Sequence, residues 1–181
     1  MLLNAKTSGL LLVDVQEKLV PFIHMNQDLI AGCEWMLQVA DLLGIPTVIS
    51  EQYPQGLGHT LPNLRNATPN ASVVTKTQFS CTANPECLAQ IQQLDKEQIV
   101  LLGIETHVCV LQTAFGLHQL GKQVYVVADA TESRHMQNKV LGIDRMQTAG
   151  IHIISREMAL FEWCHDSKHD QFKQLSKQFL R

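Results

Sequence analysis

The sequence has no marked excess of charge and no long apolar run, and each absence excludes a class of partner. The formal net charge is -3 over 181 residues, which gives no reason to expect nucleic acid or an anionic membrane as a partner. No apolar run approaches the ~20 residues that cross a bilayer. The N-terminal stretch MLLNAKTSG lacks the sustained apolar core of a signal peptide. We therefore expect a cytoplasmic protein with no membrane partner and no nucleic-acid partner.

The sequence also lacks the motifs that hold metals and nucleotide cofactors. There is no C-x-x-C pair, so a structural zinc site is not expected. The G-x-G-x-x-G and Walker motifs of nucleotide-binding proteins are absent as well. The G-x-S-x-G motif of serine hydrolases is also absent. We predict no cofactor and no metal. The sequence has five cysteines, which are Cys33, Cys81, Cys87, Cys109 and Cys164. We expect them to be free thiols, as is typical of proteins in a reducing compartment.

Short apolar segments alternate with helical periods along the chain. Such alternation is typical of a parallel sheet covered on both faces. With right-handed crossovers it predicts an α/β fold, a doubly wound, six-stranded parallel sheet with helices on both faces in a Rossmann-like three-layer arrangement. We expect one domain over residues 1–181, in which 166–181 form an amphipathic helical tail. The predicted strands are 10–15, 46–50, 72–75, 99–102, 124–128 and 151–154.

Two connections have their own signals. Residues 51–70 show no period and contain three prolines and two glycines, which predicts a long structureless connection that is either a functional lid or a solvated loop. Residues 129–134 predict a turn into the next helix, and we expect Asp129 and Arg134 to pair there.

Asp14, Lys76 and Cys109 each follow an apolar strand, at the edge where parallel sheets bind ligands. Cys109 falls at a strand-to-helix turn, where backbone N–H groups and the helix dipole lower a thiol pKa. Taken singly, each residue has a structural interpretation as well. Cys109 is as readily interpreted as a small buried apolar residue, and Asp14 and Lys76 as solvated charges. Taken together, the carboxylate accepts the thiol proton, the ammonium stabilises the thiolate, and the thiolate attacks a carbonyl-type carbon.

These three residues lie in segments that carry a family resemblance. LLLVDVQ contains Asp14, KTQFS contains Lys76 and GIETHVCV contains Cys109. In this order they resemble the isochorismatase-like cysteine hydrolase superfamily. The segments EQYPQGLG, DATESR and QFKQLSK are similar to its isochorismatase domain-containing subgroup. The resemblance implies a catalytic triad of Asp14, Lys76 and Cys109, and a homo-oligomer.

The resemblance further implies a cis peptide at Ile104–Glu105, in a turn that, with Thr106, aims backbone N–H groups at an oxyanion. It implies a hydrolase that acts on a small amide, ureido or related small-molecule substrate through a covalent thiol intermediate. The nicotinamidase branch binds a metal through an Asp-x-His pair after the second strand. Here that stretch is Glu51-Gln52-Tyr53, so no metal is expected.

Two other functions remain open from the sequence. One is a catalytically silent member of the fold that binds a ligand or a protein. The other is thiol redox sensing through Cys109, with Cys81 or Cys87 as the resolving thiol.

The residues expected around the substrate come from several segments. Gln16 follows the first strand closely and could face the same crevice as Asp14. His107 either contacts substrate or is a satisfied histidine in the first helical turn. The full set of expected pocket residues is Gln16, Phe22, Tyr53, Phe79 and His107.

Overall fold

A computed structural model describes residues 1–180. Six strands form one sheet: β1 Ser8–Val13, β2 Thr47–Gln52, β3 Ser72–Lys76, β4 Gln98–Ile104, β5 Gln123–Glu132 and β6 His152–Ile154. All neighbouring pairs are parallel, in the order β3-β2-β1-β4-β5-β6. The order reverses direction between β1 and β4, which creates a crevice at the carboxyl ends of these strands. The predicted fold class is confirmed.

Helices connect the strands and cover both faces of the sheet. Asn84 begins one of them as predicted, because its side chain accepts a hydrogen bond from the Cys87 N–H and Pro85 follows at the first helical position. The α-helices are α1 Asn26–Leu42, α2 Pro54–Leu57, α3 Pro62–Ala67, α4 Pro85–Gln93, α5 Leu111–Gln119, α6 Met136–Thr148, α7 Arg156–Cys164 and α8 Phe172–Phe179.

The buried strands separate two hydrophobic clusters. Alternate residues of a strand point to opposite faces, so Leu10 and Leu12 of β1 join the cluster under α1 and α7. Leu11 and Val13 join the cluster under α4 and α5. This two-sided burial explains why the strand is apolar at every position rather than at alternate ones.

Two connections differ from the sequence prediction. Residues 51–70 are not structureless, since α2 and α3 lie within them and each begins with a proline. Strand β5 continues to Glu132, where a turn was expected. Asp129 pairs with Arg156 at 3.0 Å and Arg134 pairs with Glu105 at 2.6 Å. The expected Asp129–Arg134 pair is therefore wrong.

The C-terminal helix α8 packs on the body of the same chain. Leu175 is fully buried, and the Trp35 indole N–H of α1 donates to the Phe179 carbonyl at 3.3 Å. Arg181, the last residue of the predicted tail, lies outside the described residues. Within residues 1–180, every helix is too short or too polar to cross a membrane.

Candidate active site

The structure brings Asp14, Lys76 and Cys109 together at the carboxyl edge of the sheet. Asp14 directly follows β1, Lys76 ends β3, and Cys109 lies five residues after β4. The Lys76 Nζ atom is 2.6 Å from Asp14 Oδ2, and Asp14 and Cys109 line the same cavity. The residues meet at the point where the strand order reverses, which is where open parallel sheets bind ligands.

Two residues of β2 hold the charged pair in place. The Ser50 hydroxyl donates to Asp14 Oδ1 at 2.7 Å, and Lys76 Nζ donates to Gln52 Oε1 at 2.7 Å. β2 lies between β1 and β3. Ser50 and Gln52, which are two residues apart near the end of β2, therefore reach Asp14 and Lys76 respectively. Sequence analysis missed both residues, although polar side chains in an otherwise apolar strand were a usable signal.

Burial and charge together set the protonation of the site. Burial alone lowers the pKa of Lys76, but nearby acidic groups, Asp14 foremost, outweigh it and raise that pKa above its ordinary value. Burial and the Asp14 charge raise the pKa of Cys109, against the opposing effect of Lys76. The predicted lowering of the thiol pKa is therefore wrong, because the sequence shows neither the burial of Cys109 nor the nearby Asp14 charge. The resting thiol is therefore protonated.

The turn that carries Cys109 has unusual backbone geometry. All peptide bonds of residues 1–180 are trans, so the expected cis bond at Ile104–Glu105 is wrong. The chain turns instead through a left-handed Glu105 with φ 55°. Residues Thr106–Val110 then form a π-type turn that leads into α5, in which the Val110 N–H donates to the Glu105 carbonyl. Turns of this type occur frequently at functional sites.

Left-handed residues follow three neighbouring strands at this edge. Asp14, Tyr53 and Glu105 have φ values of 56°, 37° and 55° and stand after β1, β2 and β4. A non-glycine residue in this region costs roughly 1–2 kcal/mol. Such strain is concentrated at sites where the surrounding structure fixes a functional geometry.

A cavity of about 670 Å³ opens beside Asp14 and Cys109, and Lys76 lies outside its lining. Its polar lining consists of Asp14, Gln52, Glu105, Cys109 and Arg134. The remaining wall is apolar: Leu19, Phe22, Leu57, Phe79, Ile104 and Val108. The predicted pocket residues Phe22 and Phe79 are thus part of the wall, and both are more than half exposed, which places them at the opening.

The other expected pocket residues lie elsewhere. Gln16 is fully buried and its side-chain amide donates to the carbonyls of Gln52 and Gly58, so it holds the connection after β2. Tyr53 lines a separate hollow beside α4. The His107 Nδ1 atom lies 3.0 Å from the Ser133 hydroxyl, as for a histidine satisfied within the fold. Thr106 is fully buried.

Glu51 occupies the position considered for metal binding. Its Oε1 accepts a hydrogen bond from the Thr60 N–H at 2.8 Å, and its Oε2 is 3.0 Å from His59 Nδ1. Burial alone raises the pKa of Glu51, but these contacts outweigh it and hold the pKa below its ordinary value. Across residues 1–180 no three histidine, cysteine or carboxylate side chains are grouped to hold a metal ion.

Comparison with known proteins assigns the family. The model of the isochorismatase domain matches residues 8–158, and the chain belongs to this family of isochorismatase-like hydrolases. It is 40% identical over 163 residues to isochorismatase domain-containing protein 1 of Salmo salar, which covers 90% of this chain. The chain spans only 57% of the length of that relative.

Solved structures agree with this assignment. The MAR1 ribonuclease of Caenorhabditis elegans superimposes with a TM-score of 0.93 at 34% identity, over 100% of this chain and 93% of its own. The YcaC gene product of Escherichia coli, described as an octameric hydrolase of unknown specificity, gives a TM-score of 0.92 at 22% identity over 97% and 89% of the two chains. This second likeness shows the shared fold.

Proposed function

We propose that the chain is a cysteine hydrolase that acts on a small amide, ureido or related substrate through a covalent thiol intermediate. One observation carries the proposal. Lys76 Nζ lies 2.6 Å from Asp14 Oδ2, both side chains are buried, and Asp14 and Cys109 line the same cavity. A base, a nucleophile and a cation grouped in one site are the components of nucleophilic acyl transfer.

In the first half of the reaction Asp14 removes the thiol proton as Cys109 attacks the carbonyl carbon. Because the resting thiol is neutral, proton transfer and attack are coupled. Lys76 stabilises the negative charges of both partners at this stage. Backbone N–H groups near Thr106 and Cys109 stabilise the oxyanion. The C–N bond then breaks, the amine leaves with the proton held by Asp14, and a thioester to Cys109 remains.

In the second half water cleaves the thioester. Asp14, again a carboxylate, takes a proton from the water, whose oxygen attacks the acyl carbon. The C–S bond breaks, and the Cys109 sulfur regains the proton from Asp14. Gln52 and Ser50 keep Lys76 and Asp14 in position through both halves.

A panel of primary amides and ureido compounds tests the proposal, with turnover measured as ammonia release. Cys109→Ser is expected to lower turnover at least about a hundredfold. Intact-mass analysis of the native protein is expected to find the acyl adduct on Cys109. The control is Cys164→Ser, a buried cysteine on the opposite face of the sheet. Full turnover by Cys109→Ser would overturn the proposal.

A catalytically silent ligand-binding protein is the second candidate, and the burial of the Cys109 side chain favours it. In that case panel compounds raise the melting temperature of the native protein without being consumed. RNA belongs in the same panel because the Caenorhabditis elegans neighbour is named a ribonuclease. Ligand stabilisation without turnover would select the second candidate.

A further inference from the structure

One cation, Arg134, lines the cavity. Its Nε lies 2.6 Å from Glu105 Oε1, and its side chain is 56% exposed against 13% for Glu105. Glu105, whose backbone is left-handed, lines the same cavity. The other carboxylate oxygen, Oε2, has no hydrogen-bond partner among residues 1–180 and lies 3.4 Å from His107 Nδ1. Arg134 is thus the main partner of the Glu105 charge.

The charges of the cavity wall cancel in pairs. Asp14 is offset by Lys76 and Glu105 is offset by Arg134. The rest of the wall is apolar apart from the Gln52 amide and the Cys109 thiol. A guanidinium in such surroundings binds carboxylates strongly when it is free. Glu105 therefore removes an anion site that Arg134 would otherwise supply.

We propose that Glu105 determines specificity: by pairing with Arg134 it makes the cavity select uncharged, largely apolar substrates and reject analogues that carry a carboxylate. The part of this proposal that concerns substrates rests on the proposed hydrolase function. The selection itself is a property of the cavity and can be measured at Cys109 without turnover. Specificity of this kind arises as a difference between two affinities, in which an unfavourable charge excludes the wrong ligand.

Two alkylating probes of equal length test the proposal. N-butyl iodoacetamide and 4-(iodoacetamido)butanoate carry the same reactive iodoacetamide group. The far end of the first probe is an apolar methyl group, and the far end of the second is an anionic carboxylate. The rate of Cys109 labelling in native protein is read by peptide mass spectrometry, and each rate is divided by the rate with glutathione. Wild type is expected to favour the butyl probe.

The two single substitutions are expected to act in opposite directions. Glu105→Gln frees Arg134 and should shift the rate ratio about tenfold towards the anionic probe. Arg134→Gln leaves Glu105 uncompensated and should shift the ratio further towards the butyl probe. The double variant should return near the wild-type ratio, since the coupling is between these two side chains. Arg156→Gln is the control, because it removes an arginine that pairs with Asp129 outside this cavity.

Three results would overturn the proposal. They are single-variant ratios within about twofold of wild type, shifts of both variants in one direction, and no labelling of wild-type Cys109 by either probe. If Glu105→Gln does not fold, Arg134→Gln decides alone, and a shift towards the anionic probe contradicts the proposal. A protein that shows the expected ratios but turns over no substrate would keep this inference and lose the hydrolase function.

Discussion

At the scale of single residues, the site depends on how the buried Asp14 is paired. Its side chain is 1% exposed, and a charge so deeply buried requires a partner. Lys76 and Ser50 each contact a different carboxylate oxygen, and Cys109 lines the same cavity as this carboxylate. The carboxylate is therefore held in one orientation, in which we propose that it accepts the thiol proton.

Removal of the Ser50 hydroxyl tests this pairing. Ser50→Ala leaves Asp14 Oδ1 without its 2.7 Å donor in a buried site. Hydrogen bonds to charged groups contribute ~2 kcal/mol, so the free energy of unfolding should fall by about that amount. Urea unfolding provides the measurement. Ser167→Ala, at an exposed position, is the control, and an equal change in both variants would count against the role of Ser50.

The sequence indicated the three residues of the site but not their electrostatics. Position after an apolar strand was enough to single out Asp14, Lys76 and Cys109. The direction in which the pKa of Cys109 shifts depends on its burial and on the nearby Asp14 charge. Neither of these is visible in a local sequence pattern. For the same reason, the pairing of Arg134 with Glu105 was missed.

At the scale of secondary-structure elements, β1 and β4 fix the distance between Asp14 and Cys109. Val13 and Gly103 are paired across these strands, one residue before Asp14 and two before Glu105. Gly103 has φ 129°, and a Cβ there would lie 2.2 Å from the Val13 carbonyl oxygen. The close approach of the two strand ends therefore requires glycine at this position.

Gly103→Ala tests this close approach. The added methyl group must displace the backbone of β1, so the loss of unfolding free energy should exceed ~3 kcal/mol or prevent folding. Gly44→Ala is the matched control, because Gly44 also has a positive φ of 68° but has open space around its missing Cβ. That control should cost only ~1–2 kcal/mol. Equal losses in urea unfolding would contradict the requirement.

The length of an element decided whether the sequence could predict it. The caps of α4 and the apolar strands were found because each carries a local signal. Helices α2 and α3 have four and six residues, too few to show a 3.6-residue period. The extension of β5 to Glu132 depends on pairing with β4, in which Thr131 lies opposite Gly103. That pairing is a long-range contact that the sequence of the segment does not encode.

At the scale of the whole molecule, the alternation of apolar strands and helices predicted the three-layer architecture. Two buried faces on each central strand leave few other arrangements for a chain of this length. The tail helix α8 covers part of α1 in the same chain through Leu175 and Phe179. It therefore does not leave its apolar face free for a neighbouring subunit.

A homo-oligomer is still our prediction for the protein in solution. Helix α6 leaves Met136, Val140 and Leu141 exposed by 47%, 49% and 61%, and neighbouring exposed apolar side chains favour association. Light scattering on a size-exclusion column should give a multiple of the 20.3 kDa chain mass. A monomer mass over the whole accessible concentration range would contradict this prediction.

The most direct test of the central claim is the pH dependence of Cys109 alkylation in wild type, Asp14→Asn and Lys76→Met. The account predicts a wild-type thiol pKa above the ordinary value of ~8.5, because burial and the Asp14 charge disfavour the thiolate. Removal of the negative charge should lower that pKa, and removal of the positive charge should raise it. A pKa that is the same in all three proteins would show that Asp14, Lys76 and Cys109 do not form one site.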